Sequence, residues 1–472
     1  MSKQTDLLRN TFIISLGKFS SQFVSLALLP LYTVFLLPKE FGVVDLVITY
    51  VTLFAPILTL QIEMAAFRFL VEARENELAT KETISNITQI TLSLMTIFIF
   101  AYLLVGQLID IDYSILVLIN ICTAMTANLF LQIARGLGEN KLFAIASTLT
   151  GIMMFIFTVL SVVYLKAGAN GALFSLALAN LSCSIYLFFR LKLYSQINLK
   201  YGTRSLKKKL LSYSLPLVPN GLSWWIINAS DRTIISLTLG LAVNGVYAVS
   251  NKYAAIFSSI FFIFSMAFTE SASVHIDAPD RDEFLSETNA ASLKLFGALG
   301  LVLIAIAPTV FSLAIGPEFQ EATKYIPILI VAAFFNAVVG TYSAIYVAKK
   351  MTKQVAATSI AAAVINIVLT VGFIKIIGVW AAALATAAAF LAMSIFRHYD
   401  LKKYVTITYE NGLIFKIIAA YCLVIGLYYI KSPISVAINI LAAVGFAIYF
   451  NYSGIAIIKN KVLRLSKKRN NV

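Results

Sequence analysis

Charge is what this sequence lacks most. Only 12% of its 472 residues are Asp, Glu, Lys or Arg, whereas 60% are hydrophobic, and the mean hydropathy is +0.87. A soluble domain carries about twice that share of charge, so a soluble fold is excluded and a chain that crosses a membrane repeatedly is expected. Cysteine is rarer still: Cys122, Cys183 and Cys422 each stand alone in apolar sequence without metal-ligand spacing, and read as small buried apolar side chains. His275 and His398 fall at the edges of apolar runs and are expected at the surface. The phosphate-loop patterns GxxxxGKS and GxxxxGKT are missing, so ATP hydrolysis within this chain is not expected. Long polar connections are missing too, and no soluble domain interrupts the apolar runs. A membrane glycosyltransferase or polymerase would need a sizeable external loop with placed carboxylates or arginines. The chain is therefore read as a non-enzyme, with no cofactor and no metal.

What is present is a series of runs long enough to cross about 30 Å of hydrocarbon at about 20 residues each. They give fourteen candidate spans, of which the first covers about 11–37, the second 41–66, the seventh 211–239 and the eighth 243–270. The longest connections are expected at 68–83, 191–210 and 271–290. The leader before the first span carries Lys3 and Arg9, but no small-residue cleavage site follows, so this span reads as a retained helix. With the N-terminus cytoplasmic, the outside connections hold Lys39, Lys166, Lys324, Lys375 and Lys431; Lys18, Arg232 and Lys252 fall within spans; the rest of the 37 lysines and arginines lie inside. That asymmetry predicts both termini in the cytoplasm. It also accounts for the net charge of +15 and for the patches RSLKKK and RLSKKR. These read as anchors beside anionic lipid headgroups, and no nucleic-acid partner is expected.

The chain resembles itself. LLPKEFGVVDLVITYV (Leu36 to Val51) lies over LGLAVNGVYAVSNKYA (Leu239 to Ala254) at a shift of 203 residues, matching Gly42 with Gly245, Val43 with Val246 and Tyr50 with Tyr253. GANGALFSLALANL (Gly168 to Leu181) likewise resembles GVWAAALATAAAFL (Gly378 to Leu391). Six helices per repeat make the two halves parallel. The expected fold is an all-α polytopic membrane protein with fourteen transmembrane helices: two parallel six-helix repeats around a central cavity, plus two C-terminal helices. The corresponding domains are a six-helix lobe at 1–192, a basic cytoplasmic linker at 193–210, a second six-helix lobe at 211–400, and the last two helices with a basic tail at 401–472.

At about 100° per residue, the seventh span places Ser214, Gly221, Trp224, Trp225, Asn228, Asp231 and Arg232 on one side. The first span does so with Thr11, Ser15, Lys18, Gln22, Ser25 and Tyr32, the second with Asp45, Thr49, Thr52, Pro56, Thr59 and Glu63, and the eighth with Lys252, Ser259 and Glu270. These four spans are equivalent pairs of the two repeats, so their stripes suit one shared cavity. A lone charge in hydrocarbon costs several kcal/mol, so each of these groups faces a partner or water. One candidate pair is Asp231 with Lys252, each about 13 Å inside the outer boundary, either locking helices together or breaking and reforming in a cycle. That pairing leaves Lys18 and Arg232 as uncompensated cations and Asp45 as an anion nearer the outer end. Two cations suit an anionic ligand: arginine can grip a phosphate with two parallel donors, and lysine supplies a mobile point charge. Trp224 and Trp225 suit either sugar stacking or plain helix packing.

The stretches NTFIISLGKFSSQ, LLPKEFGVVDLV, EMAAFRF and LPLVPNGLSWWIINASDRTIIS, followed by NGVYAVSNKYA, resemble the polysaccharide transporter branch of the multidrug/oligosaccharidyl-lipid/polysaccharide exporter superfamily, with O-antigen flippases of Wzx type nearest in pattern. Gln61 departs from the glycine often found two places before the acidic residue of the second-span motif. The resemblance implies a flippase that carries a polyprenyl-pyrophosphate-linked oligosaccharide from the inner to the outer leaflet of a bacterial cytoplasmic membrane. Membrane lipids are partners, and a polysaccharide polymerase and assembly proteins are further candidates. The substrate-binding candidates are Lys18, Gln22, Arg68, Trp224, Trp225, Asn228, Arg232 and Lys252, and the ion-coupling or gating candidates Asp45, Glu63, Asp231 and Glu270. Proton, sodium and no coupling stay open. The alternatives are a cell-wall lipid flippase or a multidrug exporter of the same superfamily; an exporter of cations would favour an acidic cavity.

Overall fold

The structure is a computed structural model that describes residue 24 and residues 26–108, 112–410 and 412–469, with side chains at all of these except 199, 220, 227, 228 and 453–469. The described residues contain helices and no strand, as hydrocarbon requires of a backbone that must satisfy its own hydrogen bonds. The helices are α1 (Leu26–Phe35), α2 (Pro38–Leu58), α3 (Ile62–Ala73), α4 (Glu77–Gly106), α5 (Ser114–Gly136), α6 (Asn140–Thr158, extended by a wider π turn to Tyr164), α7 (Gly168–Arg190), α8 (Leu193–Gln196) and α9 (Arg204–Ser214). They continue with α10 (Val218–Thr238), α11 (Leu241–His275), α12 (Arg281–Ala314), α13 (Ile326–Ala348), α14 (Thr352–Ile377), α15 (Trp380–Leu401), α16 (Leu413–Ile430) and α17 (Pro433–Arg469).

Among the described residues, twelve helices are long and apolar enough to cross a membrane. Two of the fourteen expected spans are not among them, for identifiable reasons. The first expected span lies mostly outside the described residues, and its described part is the ten-residue apolar helix α1. The seventh is the 21-residue helix α10, whose amides, hydroxyls, Asp231 and Arg232 dilute its apolar content. The second span is not one helix. It breaks between α2 and α3, where Leu60 (φ 54°) and Gln61 (φ 57°) are left-handed. Pro56 lies inside the last turn of α2, and its carbonyl accepts from Gln61 N at 2.8 Å. This position needs a positive φ, which Gln61 adopts at the cost of local strain. The expected connections at 68–83, 191–210 and 271–290 are largely helical, being filled by the ends of α3, α4, α11 and α12 and by α8 and α9. Loss of apolarity marks where a helix leaves hydrocarbon, and the helix itself runs on through sequence such as NELATKET with a good cap: Asn76 accepts from Ala79 N at 3.0 Å.

The chain packs as two compact units. The first takes the described residues through Val249, together with Gly316–Phe319. Its core joins Ile62, Leu70, Ile84, Ile133, Phe143 and Leu187, with Leu210 of α9 docked against them. Gly136 on α5 admits the Leu70 side chain of α3, where a Cβ would come to 2.7 Å of Leu70 Cβ. Such close approach over small residues replaces the hydrophobic drive that helices lack in lipid. The second unit takes Ser250–Ile315 and the described residues from Gln320 onward, with a core that includes Phe268, Leu285, Tyr342, Ile345 and Leu401.

The internal repeat is visible in atomic contacts. Within the first unit the opening turns of α2 and α11 cross at Gly42 and Gly245. A Cβ on Gly42 would be driven into the Leu241 carbonyl, and one on Gly245 into the Pro38 carbonyl. Pro38 and Leu241 are related by the same 203-residue shift as the two glycines, so the contact is reciprocal, as across a two-fold axis. Asn244 Nδ2 adds a bond to Gly42 O at 3.2 Å. A second repeated device ties down the segment that follows the sixth helix of each repeat. Ser85 Oγ donates to Gln196 O (3.2 Å) and accepts from Asn198 N (3.0 Å). Ser286 Oγ donates to Thr406 O (3.3 Å) and accepts from Thr408 N (3.0 Å).

Backbone cannot yield as a side chain can, so Gly42→Ala and Gly245→Ala should each cost about 1–3 kcal/mol or more. Gly106→Ala, where nothing lies within 4 Å, serves as the control. Thermal unfolding of the purified protein should show lowered midpoints for the first two and no loss for the third; equal midpoints for all three would remove the crossing as a packing constraint.

Candidate functional site

α2 and α10 lie side by side within the first unit, and their facing polar residues form one buried cluster. Asp45 is 1% and Asp231 5% exposed. Arg232 reaches from α10 to α2, with Nη1 3.6 Å from Asp45 Oδ1 and donating to Thr49 Oγ1 at 3.3 Å. Thr49 Oγ1 donates in turn to Asp45 O at 2.8 Å, and Trp225 Nε1 donates to Thr49 O at 3.0 Å. Three donors from two side chains of α10 and one of α2 thus converge on a single turn of α2, which requires the helices to keep one register. Asp231 Oδ1 accepts from Arg232 N at 2.8 Å, and Oδ2 accepts from Tyr247 Oη of α11 at 2.6 Å.

Among the described residues these bonds join two carboxylates and one guanidinium, and the cluster is incompletely satisfied. Asp45 Oδ2, Arg232 Nε and Asn244 Oδ1 are buried without a hydrogen-bond partner. Each such atom forfeits its hydration without repayment. The 3.6 Å separation is also longer than a good charge-assisted bond. The arrangement therefore has spare donor and acceptor capacity for a proton, a cation or an anionic group.

The structure brings together Asp45, Asp231, Arg232 and Trp225 from the expected set and adds Thr49 and Tyr247. Arg232 is not the uncompensated cation expected from spacing: Asp45 faces it, because the stripes of the second and seventh spans meet each other. Asp231 is held in the first unit by Tyr247 and by the backbone of Arg232. Lys252 and Glu270 belong to the second unit and are half-buried on α11. Glu63 is buried in the first turn of α3, where Oε2 accepts from Thr59 Oγ1 at 2.7 Å across the helix break. Arg68 lies on the exposed face of α3, paired with Glu72 at 2.7 Å. Trp224 is 37% exposed. Lys18 and Gln22 lie outside the described residues, as does the side chain of Asn228.

One buried cation escaped the sequence reading. Arg397, counted among the inner-end charges, is fully buried on α15. Nε donates to Thr358 Oγ1 (3.0 Å), Nη1 to Val339 O (3.2 Å) and Ser343 Oγ, and Nη2 to Thr358 Oγ1 (2.7 Å) and Val355 O (3.3 Å). It clamps α13, α14 and α15 together through neutral acceptors. Of the cysteines, Cys183 is buried as expected, Cys122 is half-buried, and Cys422 is exposed on the apolar helix α16.

Comparison with known proteins places this architecture. Residues 7–269, more than half of the chain, match the family described as polysaccharide biosynthesis protein. The chain belongs to that family. No curated protein matches it. Among solved structures it is similar to the lipid II flippase MurJ in an inward closed conformation, at 16% identity and a TM-score of 0.70, over 94% of this chain and 100% of that one. It is also similar to an inward-facing multidrug resistance MATE family transporter of the MOP superfamily, at 15% identity and a TM-score of 0.65, over 86% and 96% of the two chains. A MOP superfamily transporter from Pyrococcus furiosus, described as having a binding pocket of reversed polarity, gives 16% identity and a TM-score of 0.57, over 86% and 99%. At these identities the likeness is one of fold: this family member is a multi-pass helical membrane protein with the MurJ and MATE architecture.

Removing one partner of a buried ion pair strands the other, at about 3–5 kcal/mol. Asp45→Asn and Arg232→Gln should therefore each lower the thermal midpoint of the family member, and the double variant should lose clearly less than the two losses added. Additive losses would show that the two side chains do not stabilise one another.

Proposed function

We propose that the protein is a flippase that translocates a polyprenyl-pyrophosphate-linked oligosaccharide, an O-antigen or capsule-type repeat unit, from the inner to the outer leaflet of the bacterial cytoplasmic membrane by alternating access. The observation that carries this reading is Arg232, a half-buried guanidinium with a loose carboxylate partner and a buried, unpartnered Nε, in a member of a polysaccharide biosynthesis family. A pyrophosphate has oxygens to offer both guanidinium edges, which one Asp45 oxygen at 3.6 Å does not. The ligand would compete with Asp45 for Arg232, leaving the carboxylate to be met by a proton or a cation. Lys18 and Lys252 are proposed as further cations for the headgroup, with Gln22, Trp224, Trp225 and Asn228 for the sugars and Arg68 for capture at the inner entrance. Asp45, Glu63, Asp231 and Glu270 are the proposed coupling or gating groups. In this reading both termini are cytoplasmic, the two six-helix lobes are 1–192 and 211–400, the linker is 193–210, and 401–472 adds two helices and a tail. The protein acts without a cofactor and is a transporter, not an enzyme, supplying glycan to a polymerase and assembly proteins.

Two observations favour neighbouring readings within the same fold. The likeness to a lipid II flippase favours a cell-wall lipid as cargo. The excess of carboxylates over arginine in the cluster, together with the MATE likeness, favours export of a cation. Leaflet transfer of a polyprenyl-pyrophosphate oligosaccharide in proteoliposomes, under imposed pH and sodium gradients, separates them. The wild type should transfer the lipid, and Lys18→Ala and Arg232→Ala should each reduce transfer by about tenfold or more, the scale of one charge-assisted hydrogen bond. Export of a cationic dye without lipid transfer would establish the exporter reading in its place.

A further inference from the structure

A furrow of about 470 Å³ runs between α14 and α15 in the second unit, lined by Gln354, Ala357, Thr358, Ala361, Ile365, Phe396 and Asp400 among others. Alanines one turn apart on α14, with Ala392 opposite on α15, leave a notch that larger residues would fill. Its floor is fixed: Thr358 accepts both Nε and Nη2 of the buried Arg397, which pins α14 to α15 at one separation. The surface around the furrow is apolar, with Ile360, Val364 and Phe396 each more than half exposed, so this face meets hydrocarbon and the furrow is filled by a chain rather than by water.

One end of the furrow is polar and carries a surplus of positive charge. Gln354 and Asp400 close it, and Lys403 Nζ lies 2.9 Å from Asp400 Oδ1. Lys402 Nζ sits 5.1 Å from the centroid of the Tyr399 ring. Lys353 immediately precedes Gln354, and Lys349 and Lys350 make the turn before it. Five lysines therefore lie within five residues in sequence of Gln354 or Asp400 at an end lined by one carboxylate, and that carboxylate also accepts from Tyr346 Oη at 2.7 Å. An apolar slot in line with a cationic rim matches a lipid with one negatively charged headgroup at the membrane surface.

We infer that the α14–α15 furrow is a binding site for an anionic glycerophospholipid, with an acyl chain over Ala357 and Ala361 and the phosphate between Lys353 and Lys403. The bound lipid stiffens the edge helix α14 against α15 and makes the stability of the second unit depend on anionic lipid. This site belongs to the second unit and the Arg232 cluster to the first, and it does not depend on the nature of the transported cargo.

The test uses the full-length protein, delipidated in detergent and titrated separately with phosphatidylglycerol, phosphatidylcholine and a polyprenyl phosphate, with bound lipid counted by native mass spectrometry. Phosphatidylglycerol should bind about tenfold more tightly than phosphatidylcholine, and Lys353→Gln and Lys403→Gln should each weaken it by about fivefold. Ala361→Leu, at an exposed position where added bulk meets no core, should weaken both phospholipids, whereas Val368→Leu further along α14 should weaken neither. In the wild type, a photoreactive acyl chain on phosphatidylglycerol should cross-link to 354–365 or 392–400, a readout that needs no variant. Equal binding of the two phospholipids, unchanged binding by Ala361→Leu, or cross-links elsewhere would overturn the inference. Tighter binding of the polyprenyl phosphate than of phosphatidylglycerol would reassign the furrow to the transported lipid.

Discussion

Hydrocarbon offers no hydrogen-bond partners, and from that constraint most of this structure follows. Every backbone group within the membrane must be satisfied by its own helix, so the described residues contain helices and no strand. Lipid is as apolar as leucine, so the helices gain little by burying leucine and are held by shape and polar bonds instead. Gly42 and Gly245 let two backbones touch, Gly136 takes in Leu70, and Ser85 and Ser286 each close a pair of bonds onto a following segment. The glycine crossing and the serine ties fall at equivalent places in the two repeats, because the same problem arises twice.

The same constraint explains why so much of the fold could be read from the sequence. Apolar runs must be about 20 residues long to cross, so spans such as 113–134 and 169–190 coincide closely with α5 and α7. Helix ends were less legible, because hydropathy reports depth in the membrane and not the continuity of hydrogen bonding. α4 begins at Glu77, capped by Asn76, and α12 at Arg281, both in sequence too polar for hydrocarbon yet helical. The break at Leu60 and Gln61 was hidden for the opposite reason: a left-handed residue leaves no trace in hydropathy, and Pro56 marks a bend without fixing where it falls.

At the site, periodicity left Arg232 without a partner, and the structure sets Asp45 against it. The stepping of Asp45 and Thr49 on one helix, and of Trp225 and Arg232 on another, identified two stripes that do meet. A stripe does not say which side chain it faces, and the pairing of Arg232 with Asp45 follows from the height at which α2 and α10 pack. Tyr247 was missed because it stands two residues beyond the repeat glycine on a face without charge, and a neutral hydroxyl carries no signal until a carboxylate is placed against it.

Two arginines, Arg397 fully buried and Arg232 half-buried, show how satisfaction separates structure from chemistry. Arg397 is the more deeply buried, yet each of its three nitrogens donates to hydroxyl or carbonyl oxygens on neighbouring helices. An incoming anion would have to break all of these at once, so Arg397 fits the role of a permanent fastener. Arg232 faces a carboxylate at 3.6 Å and leaves Nε without a partner. Its bonds are few and long, and the group that holds it is itself an anion. Exchange of one anion for another at Arg232 therefore conserves charge in the low-dielectric surroundings, where an unbalanced charge is most costly. Under the proposed function, such a built-in substitute would keep the guanidinium from being left bare when a charged headgroup is released.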